Sequence, residues 1–520
     1  MLLPSPSSSH KSYQSTDNHH TLKTKEVSLK HDSYGDDFID NDDFAWSPEE
    51  EAHVLHILDK YLMIFILIMT FVLNMDRTNI SNAISDNLAG DLNITNDDVN
   101  TGISVYHFVF TIFTLPSNAV SKAVGAHLWI PTLMSAWAVV TWAHALIHDF
   151  RGFIIVRVLI AITEAGFIPA CLSYMSLWYK TNELATRLAW FWGAQALASA
   201  VSGLISFGVF RMRGIYGLEG WKWLFIIDGI ATHIVGLIAF FYLPASPAHT
   251  EGGLRGQDGW LTKRQIRIAT LRITRDDAAK KEHNKPISRA DVYQAITDVN
   301  LWTHLLITFL GNMPASPINN YLPTIIKDAG FSTTTANLLT APSHIIGLYF
   351  SIWIAKSSDK RGNVVFHALV GSMWGLIGFS LLEILPDSIG KWQLYAAALF
   401  TASSPSWHGM QIAWMASNLA PIGKRTLALA AVTGAANING VPGSQIYQVS
   451  DAPRYRHGNK INMLLHISTI LLLLYQRTKY DLTNKWRAYQ WRQMTDFQKK
   501  VYSIEHEAQG NNRLDFKYRL

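Results

Sequence analysis

Apolar stretches of roughly 20 residues recur along this chain from Tyr61 onward, each long enough to cross a hydrocarbon core of about 30 Å. Six cover 60–80, 101–121, 127–147, 152–175, 186–209 and 222–243. After a polar interval, six more cover 300–322, 336–355, 364–384, 392–415, 426–446 and 461–476. The last is the weakest. Its apolar run from Ile461 to Tyr475 is short for a spanning helix, so it must stand upright or recruit flanking residues. Twelve spans are the main reading and eleven the alternative. The pattern predicts an all-α membrane protein with two bundles of six helices.

The polar segments divide the chain further. Residues 1–46 are rich in Ser, His, Asp and Asn and have no apolar run behind a basic start. They read as a disordered tail and not as a cleavable signal peptide. A helix start follows at Ser47, with Pro48 at the first position and Glu49 to Glu51 in the first turn. Residues 47–243 then form the first bundle, 244–299 a linker, 300–476 the second bundle and 477–520 a C-terminal tail.

Composition agrees with a membrane protein. Of 520 residues, 49% are hydrophobic and 16% charged, where a soluble chain carries nearer a quarter charged. The net charge of +5 does not point to nucleic acid, because the basic residues fall between apolar runs and act there as topology signals. Cys171 is the single cysteine, so no intrachain disulfide can form.

The linker carries Lys263, Arg264, Arg267, Arg272, Arg275, Lys280, Lys281 and Lys285, with room for a surface amphipathic helix. The first loop on the other side, 81–100, carries Asp86, Asp91, Asp97 and Asp98 and no Lys or Arg. This contrast predicts that both termini and the linker are cytoplasmic. Arg211, Arg213, Arg454 and Arg456 fall on the predicted outer side and weigh against it. Asn93-Ile94-Thr95 in the outer loop forms a glycosylation sequon.

The halves echo each other. NELATRLA, with Arg187, precedes the fifth span, and APIGKRTLA, with Arg425, precedes the eleventh. Both lead into helices rich in small residues, from Gly193 to Gly203 and from Gly434 to Gly443. Such helices can approach closely and move against each other, although fixed tight packing has the same composition.

Ionisable groups inside spans are costly and therefore informative. The first span holds Asp76 and Arg77 next to Asn79; the fourth holds Arg157 and Glu164, whose spacing of seven returns them to nearly one face. At about 1.5 Å of rise per residue, Asp76, Arg77 and Arg157 reach similar depth in the outer half, with Glu164 near the midplane. Two arginines and two acids can then line one cavity, as an anion site with its own proton carriers. The plainer reading makes Asp76 and Arg77 mark the outer end of the first span, but it leaves Glu164 unexplained.

Tyr106, Asn312, Asn320 and His408 are weaker candidates. Tyr106 lies in the second span, Asn312 and Asn320 in the seventh, where Pro314 and Pro317 free backbone carbonyls, and His408 in the tenth. Alone, each is more often a helix–helix hydrogen bond than a ligand contact. His144, His148 and Asp149 have ligand-like spacing but read as an interface cluster, and no metal or other cofactor is expected.

The twelve spans with a central linker resemble the major facilitator superfamily. Ala355 to Gly362 resembles its loop signature, with Asp359, Lys360 and Gly362 in the matching places. The first-half counterpart, Ser121 to Gly125, lacks the Asp. NMDRTNI at 74–80, LPSN at 115–118, Arg157 with EAGFIP from Glu164, LWY at 177–179 and EGWKWLF from Glu219 resemble the anion:cation symporter branch, and within it the fungal allantoate permease family. The resemblance implies proton-driven uptake of small anionic nutrients such as ureides, vitamin acids or sulfur-containing anions. It implies that the Asp-Arg pair of the first span and the Arg and Glu of the fourth, here Asp76, Arg77, Arg157 and Glu164, handle anion and proton. From their own positions in the spans, Asn79, Tyr106, Asn312, Asn320 and His408 are expected as further substrate contacts.

The expected partners are therefore a small anion, protons and the lipid bilayer, with no nucleic acid. The expected setting is the plasma membrane, with the chain acting as a monomer. Anion exchange, facilitated diffusion and a nutrient sensor without transport are the alternatives. No histidine box, phosphate-binding loop or nucleophile–base pair marks an enzyme.

Overall fold

The computed structural model of the chain describes residues 44–276, 289–420, 422–505 and 507–520. The expected tail, up to residue 43, and Lys280, Lys281 and Lys285 of the linker lie outside the described residues.

The first helix, α1, runs over Pro48–Ser85 with one π-helical turn at Asp59–Met63. Its start is a capping box: Ser47 Oγ accepts from the Glu50 N–H at 3.2 Å, and Glu50 accepts from the Ser47 N–H at 3.0 Å. After it come α2 (Asn96–Val124), α3 (Ala126–Ala143), α4 (Phe150–Ser176), α5 (Thr181–Val209) and α6 (Gly220–Tyr242). The linker contains α7 (Lys263–Asp276), the amphipathic helix allowed for by its sequence.

The second half has α8 (Val299–Asn312 and Ala315–Asp328), α9 (Thr333–Arg361), α10 (Val364–Ile384), α11 (Lys391–Ala402 and His408–Ser417), α12 (Ile422–Ile438) and α13 (Arg456–Gln493). No strand occurs among the described residues. Seven of the helices, α1, α2, α4, α5, α6, α9 and α10, are long and apolar enough to cross a membrane by length and composition alone. Others are interrupted: α8 at Met313–Pro314 and α11 between Ser403 and Trp407.

The last helix recruits flanking residues, one of the outcomes its short apolar run allowed. It is 38 residues long, and the apolar run from Ile461 to Tyr475 is only its middle. Hydropathy registers the lipid-facing part of a helix, whereas the backbone hydrogen bonds continue through its polar ends.

The start of α1, the C-terminal segment, the linker and the loops after α4 and α11 share one end, the linker end. Arg272 is fully buried there, donating to Glu183 at 2.9 Å and to the Trp178 carbonyl at 2.7 Å. Arg187 of α5 pairs with Asp59 of α1 at 2.5 Å. Its counterpart in the second half is Lys424, paired with Asp298 at the start of α8. Arg425, expected from the sequence echo, instead donates to the Leu419 carbonyl at 3.1 Å.

The opposite end pairs most of the arginines that weighed against the charge rule. Arg213 donates to Asp91 at 2.8 Å and pairs with Asp86, and Arg456 pairs with Asp387 at 2.9 Å. Arg454 shares Asp387 with Arg456, and Arg211 stacks on Phe207 with no acid partner among the described residues, so the positive charge at this end is only partly balanced. Asn93 is exposed at this end.

Hydrogen bonds between the halves gather at the opposite end. Ser81 donates to the Asn319 and Asn320 carbonyls at 2.9 and 2.8 Å. Asn100 donates to the Tyr447 carbonyl at 2.6 Å, Ser104 meets Ser444 at 2.7 Å, and Asn337 donates to Ser85 at 2.8 Å. At the linker end no hydrogen bond joins the halves among the described residues. In the loop after α9, Gly362 adopts φ 64° and ends the helix; Lys360 is exposed, and the Asp359 side chain lies outside the described residues.

Candidate functional site

The candidate site lies where α1, α2 and α4 meet. Helix α4 breaks immediately after Glu164, at Ala165–Gly166, which leaves the carboxylate at the end of a helical segment. Gly166 is needed there because a Cβ would lie 1.7 Å from Ser117 Oγ of α2. The LPSN and EAGFIP strings thus meet in space, with Ser117 also accepting from Trp129 at 3.0 Å.

Glu164 is 1% exposed. Its Oε2 accepts from Arg77 Nε at 3.0 Å and from the Tyr106 hydroxyl at 2.6 Å. The Arg157 guanidinium lies over the Tyr106 ring at 4.7 Å, and that of Arg77 lies over Phe110 at 5.2 Å. Each arginine keeps an unspent donor: Arg77 Nη2 and Arg157 Nε are buried with no hydrogen-bond partner. Among the described residues Arg157 makes no ion pair. Glu164 therefore pairs with Arg77 alone, and Arg157 stands over the Tyr106 ring with no carboxylate bonded to it. The unspent donors on both arginines suit the oxygens of an incoming anion.

Asp76 does not join this group. Adjacent helical residues point about 100° apart, so Asp76 turns away from the site that Arg77 faces. It accepts from Trp137 Nε1 of α3 at 3.0 Å and from Thr232 of α6 at 3.1 Å. Asn79, one turn further along α1, donates to Asp228 of α6. The expectation of one cavity holding two arginines and both acids is thus replaced by two neighbouring polar clusters. Arg77 reaches Glu164 with its long side chain, although the sequence places the two residues at different depths.

Asp228 and Trp137 are additions that the sequence reading lacks. Asp228 sits in the apolar run WLFIIDGIATHIVG, and the rule that singles out Glu164 singles it out equally. Trp137 carries no comparable signal, because tryptophan is common in spans.

The remaining candidates stand elsewhere. Asn312 is the last residue before the break in α8, and Asn320 gives its carbonyl to Ser81. His408 opens the second segment of α11, with Nδ1 buried and unpartnered. Among the described residues none of the three bonds to the Arg77–Glu164 group. His144 stacks on Phe225 at 4.4 Å, and Asp149 caps α4 through Gly152 at 2.8 Å. A cleft of about 360 Å³ at the linker end, between α1 and α6, is bounded by Lys60, Tyr61, Phe65 and Tyr242 and is separate from the charged site.

Comparison with known proteins gives this geometry its relatives. A sequence profile described as Major Facilitator Superfamily matches residues 66–444. An uncharacterized transporter of Saccharomyces cerevisiae is 28% identical over 479 residues, covering 92% of this chain and 88% of the relative. The major facilitator-type transporter hxnP of Emericella nidulans is 29% identical over 413 residues, covering 78% and 81%. Among solved structures, a D-xylose-proton symporter superposes with a TM-score of 0.60 at 16% identity, over 80% of this chain and 96% of that one. The xylose transporter of E. coli in a partially occluded inward-open conformation gives 0.59 at 14% identity, over 80% and 97%.

Proposed function

This chain belongs to the major facilitator superfamily, a multi-pass membrane transporter of small substrates, and from that premise we propose that it imports a small organic or sulfur-containing anion together with protons. The observation that carries the proposal is the pair Arg77 and Arg157, with buried unspent donors, beside the single carboxylate of Glu164. Arginine suits the task because its planar fork meets carboxylate or sulfonate oxygens in pairs.

In this reading Glu164 is the substrate's competitor. While ionised, it occupies Arg77; once protonated, it gives up most of that attraction and the guanidinium is free to bind the incoming anion. The loaded halves close at one end and open at the other. When the anion and proton leave, Glu164 pairs with Arg77 again. Such a cycle needs only that each ligand bind the two states with different affinity. Asp76 serves the proton, and Tyr106 orients Glu164 and carries Arg157. Asn312, Asn320 and His408 lie at or near helix breaks, and supply the substrate contacts of the second half.

The same reading assigns the chain to the allantoate permease family, from the NMDRTNI, EAGFIP and EGWKWLF strings. It makes 47–243 and 300–476 the two moving bundles, joined by the 244–299 linker, with Asp359, Lys360 and Gly362 in a loop that changes between states. Both termini are cytoplasmic, the membrane is the plasma membrane and the working unit is one chain. Bonds between the halves at the end opposite the linker then correspond to an inward-facing state.

The test is uptake by a transporter-deficient fungal cell expressing the chain. Labelled ureides, vitamin acids, sulfonates and sulfate are offered at acidic and neutral outside pH. One anion taken up faster at acid pH, and no longer accumulated after a protonophore, supports the reading. Uptake that survives the protonophore points to exchange or facilitation. No uptake of any anion by protein present at the cell surface refutes the import of this class and leaves a sensor.

A further inference from the structure

Helices α1 and α6 run antiparallel. Trp221 near the start of α6 bonds Asp91 beyond the end of α1, at 3.0 Å, and Tyr242 at its finish bonds the Tyr61 carbonyl at 3.1 Å. Between these ends, two rungs cross the contact. Thr232 donates to Asp76 Oδ2 at 3.1 Å, and one turn along both helices Asn79 donates to Asp228 Oδ2. Trp137 adds a second donor to Asp76 Oδ2 at 3.0 Å.

Asp76 and Asp228 are 5% and 2% exposed, and Oδ1 of each is buried without a partner. Neither carboxylate forms an ion pair among the described residues. One oxygen of each acid is therefore fixed by donors, and the other is buried without a protein partner.

The charges around this contact do not balance. Helices α1, α4 and α6 present three carboxylates, Asp76, Glu164 and Asp228, against two guanidinium groups, Arg77 and Arg157. The remaining titratable neighbours are Tyr106 and His107 on α2, whose rings lie 5.3 Å apart, and His144 on the segment after α3, which stacks on Phe225 one turn from Asp228. Helix α5 offers only the hydroxyls of Ser199 and Ser202, and α8 offers backbone carbonyls to Ser81. An excess of one negative charge in a buried region is unfavourable. One added proton removes it.

We infer that Asp76 and Asp228, on adjoining rungs of the α1–α6 contact, together carry one proton in the substrate-free protein, at a cluster beside the Arg77–Glu164 anion site. The proton comes from water and adds to a bare Oδ1, taking the charge of the pair from two negatives to one. Asp228 thus becomes a proton-binding residue alongside Asp76, with Asn79 and Thr232 as positioning residues. The role of the pair in coupling rests on the proton-driven reading above; the presence of the proton does not.

Infrared spectroscopy of the purified full chain in lipid nanodiscs, without substrate, tests this through the carbonyl stretch of a protonated carboxyl. Wild type is expected to show one such band at neutral pH, shifted in heavy water. Asp76→Asn and Asp228→Asn should each abolish it, because either leaves two carboxylates for two arginines. Asp228→Glu should retain it and serves as the folded control. A wild type without the band, or a band that survives either asparagine substitution, overturns the pair. Since no anion is present, failure here leaves the import proposal standing, and failure of uptake leaves the pair standing.

Discussion

Gly203 of α5 lies against Asn337 of α9 so closely that a Cβ on the glycine would be 2.6 Å from the Asn337 carbonyl oxygen. The neighbour that would have to yield is helical backbone. Asn337 also donates to Ser85 of α1 at 2.8 Å, so the contact belongs to the seal between the halves.

Gly203→Val should therefore weaken the closed opposite end without damaging either half. Overpacking of a tight contact costs about 1–3 kcal/mol, a shift of roughly five- to hundredfold in the balance between states. Cys171 is the only native cysteine and is buried, so an introduced thiol reports cleanly. Ser104→Cys, beside the Ser444 contact, should react faster with a polar maleimide from the opposite side once Gly203→Val is added. An unchanged labelling rate would mean that this contact does not hold the seal.

At the charged site, Arg157→Lys should separate charge from geometry. Lysine keeps the cation but loses the fork and most of the stacking on Tyr106. A charged hydrogen bond contributes about 1.5–3 kcal/mol, so anion affinity should fall by roughly ten- to hundredfold. Binding measured on the purified protein reads this directly. Glu164→Gln should abolish uphill accumulation while counterflow exchange continues, because the amide cannot take up and release a proton. Full uphill accumulation in that variant would remove Glu164 from the coupling step.

Much of the fold and part of the site are legible in the sequence, and the gaps have physical reasons. Arg77, Arg157 and Glu164 stand out because a charge within an apolar run is too costly to persist without a partner or a task. Depth alone does not separate Asp76 from Arg77, since a helix turns by about 100° with each residue and sends adjacent side chains to different neighbours. Asp228 is legible by the same rule as Glu164 but stands beside the stronger EGWKWLF string. Lys424 rather than Arg425 makes the second-half pair for a similar reason: one residue changes the face, and an aligned motif does not fix rotation. The 38-residue length of α13 is hidden because helix continues where hydropathy stops.

Glu50 and Arg264 connect α1 to the linker helix through two hydrogen bonds, at 2.6 and 3.0 Å. The Arg264 guanidinium, aided by the Ser47 backbone N–H, holds the Glu50 carboxyl at about 2. A carboxyl depressed by folding contributes fully above its unfolded value of about 4.3 and loses that contribution as pH falls through the folded value. The connection should therefore persist at pH 4. Protease cleavage of the linker is expected to be equally slow at pH 7 and pH 4 with an acid-tolerant protease, and faster at both in Arg264→Ala. Acceleration between pH 7 and pH 4 in wild type would contradict the assignment.

The two half-bundles use one device at the linker end, and the second copy is the more exposed to damage. Asp59–Arg187 is partly open to solvent, whereas Lys424 is 1% exposed and Asp298 is nearly as buried. Asn511 of the C-terminal tail completes the second pair, accepting from Lys424 at 2.8 Å and donating to Asp298 at 3.2 Å. Burial works against ionisation of Asp298, yet the Lys424 ammonium outweighs it and holds the carboxyl below its usual range. Stability from this group is therefore present above the unfolded value, near 3.9, and declines as pH falls through the lower folded value. Asp298→Ala leaves the lysine buried without its counter-ion, which costs about 3–5 kcal/mol. Arg187→Ala, at the more solvated pair, should cost less. Thermal unfolding of the two variants in the same lipid mixture checks the order, and protease release of the tail should accompany only Asp298→Ala. Equal losses, or a tail that stays protected, would show that the tail is held by its other contacts, such as the Arg519 carbonyl on Trp414 at 2.7 Å.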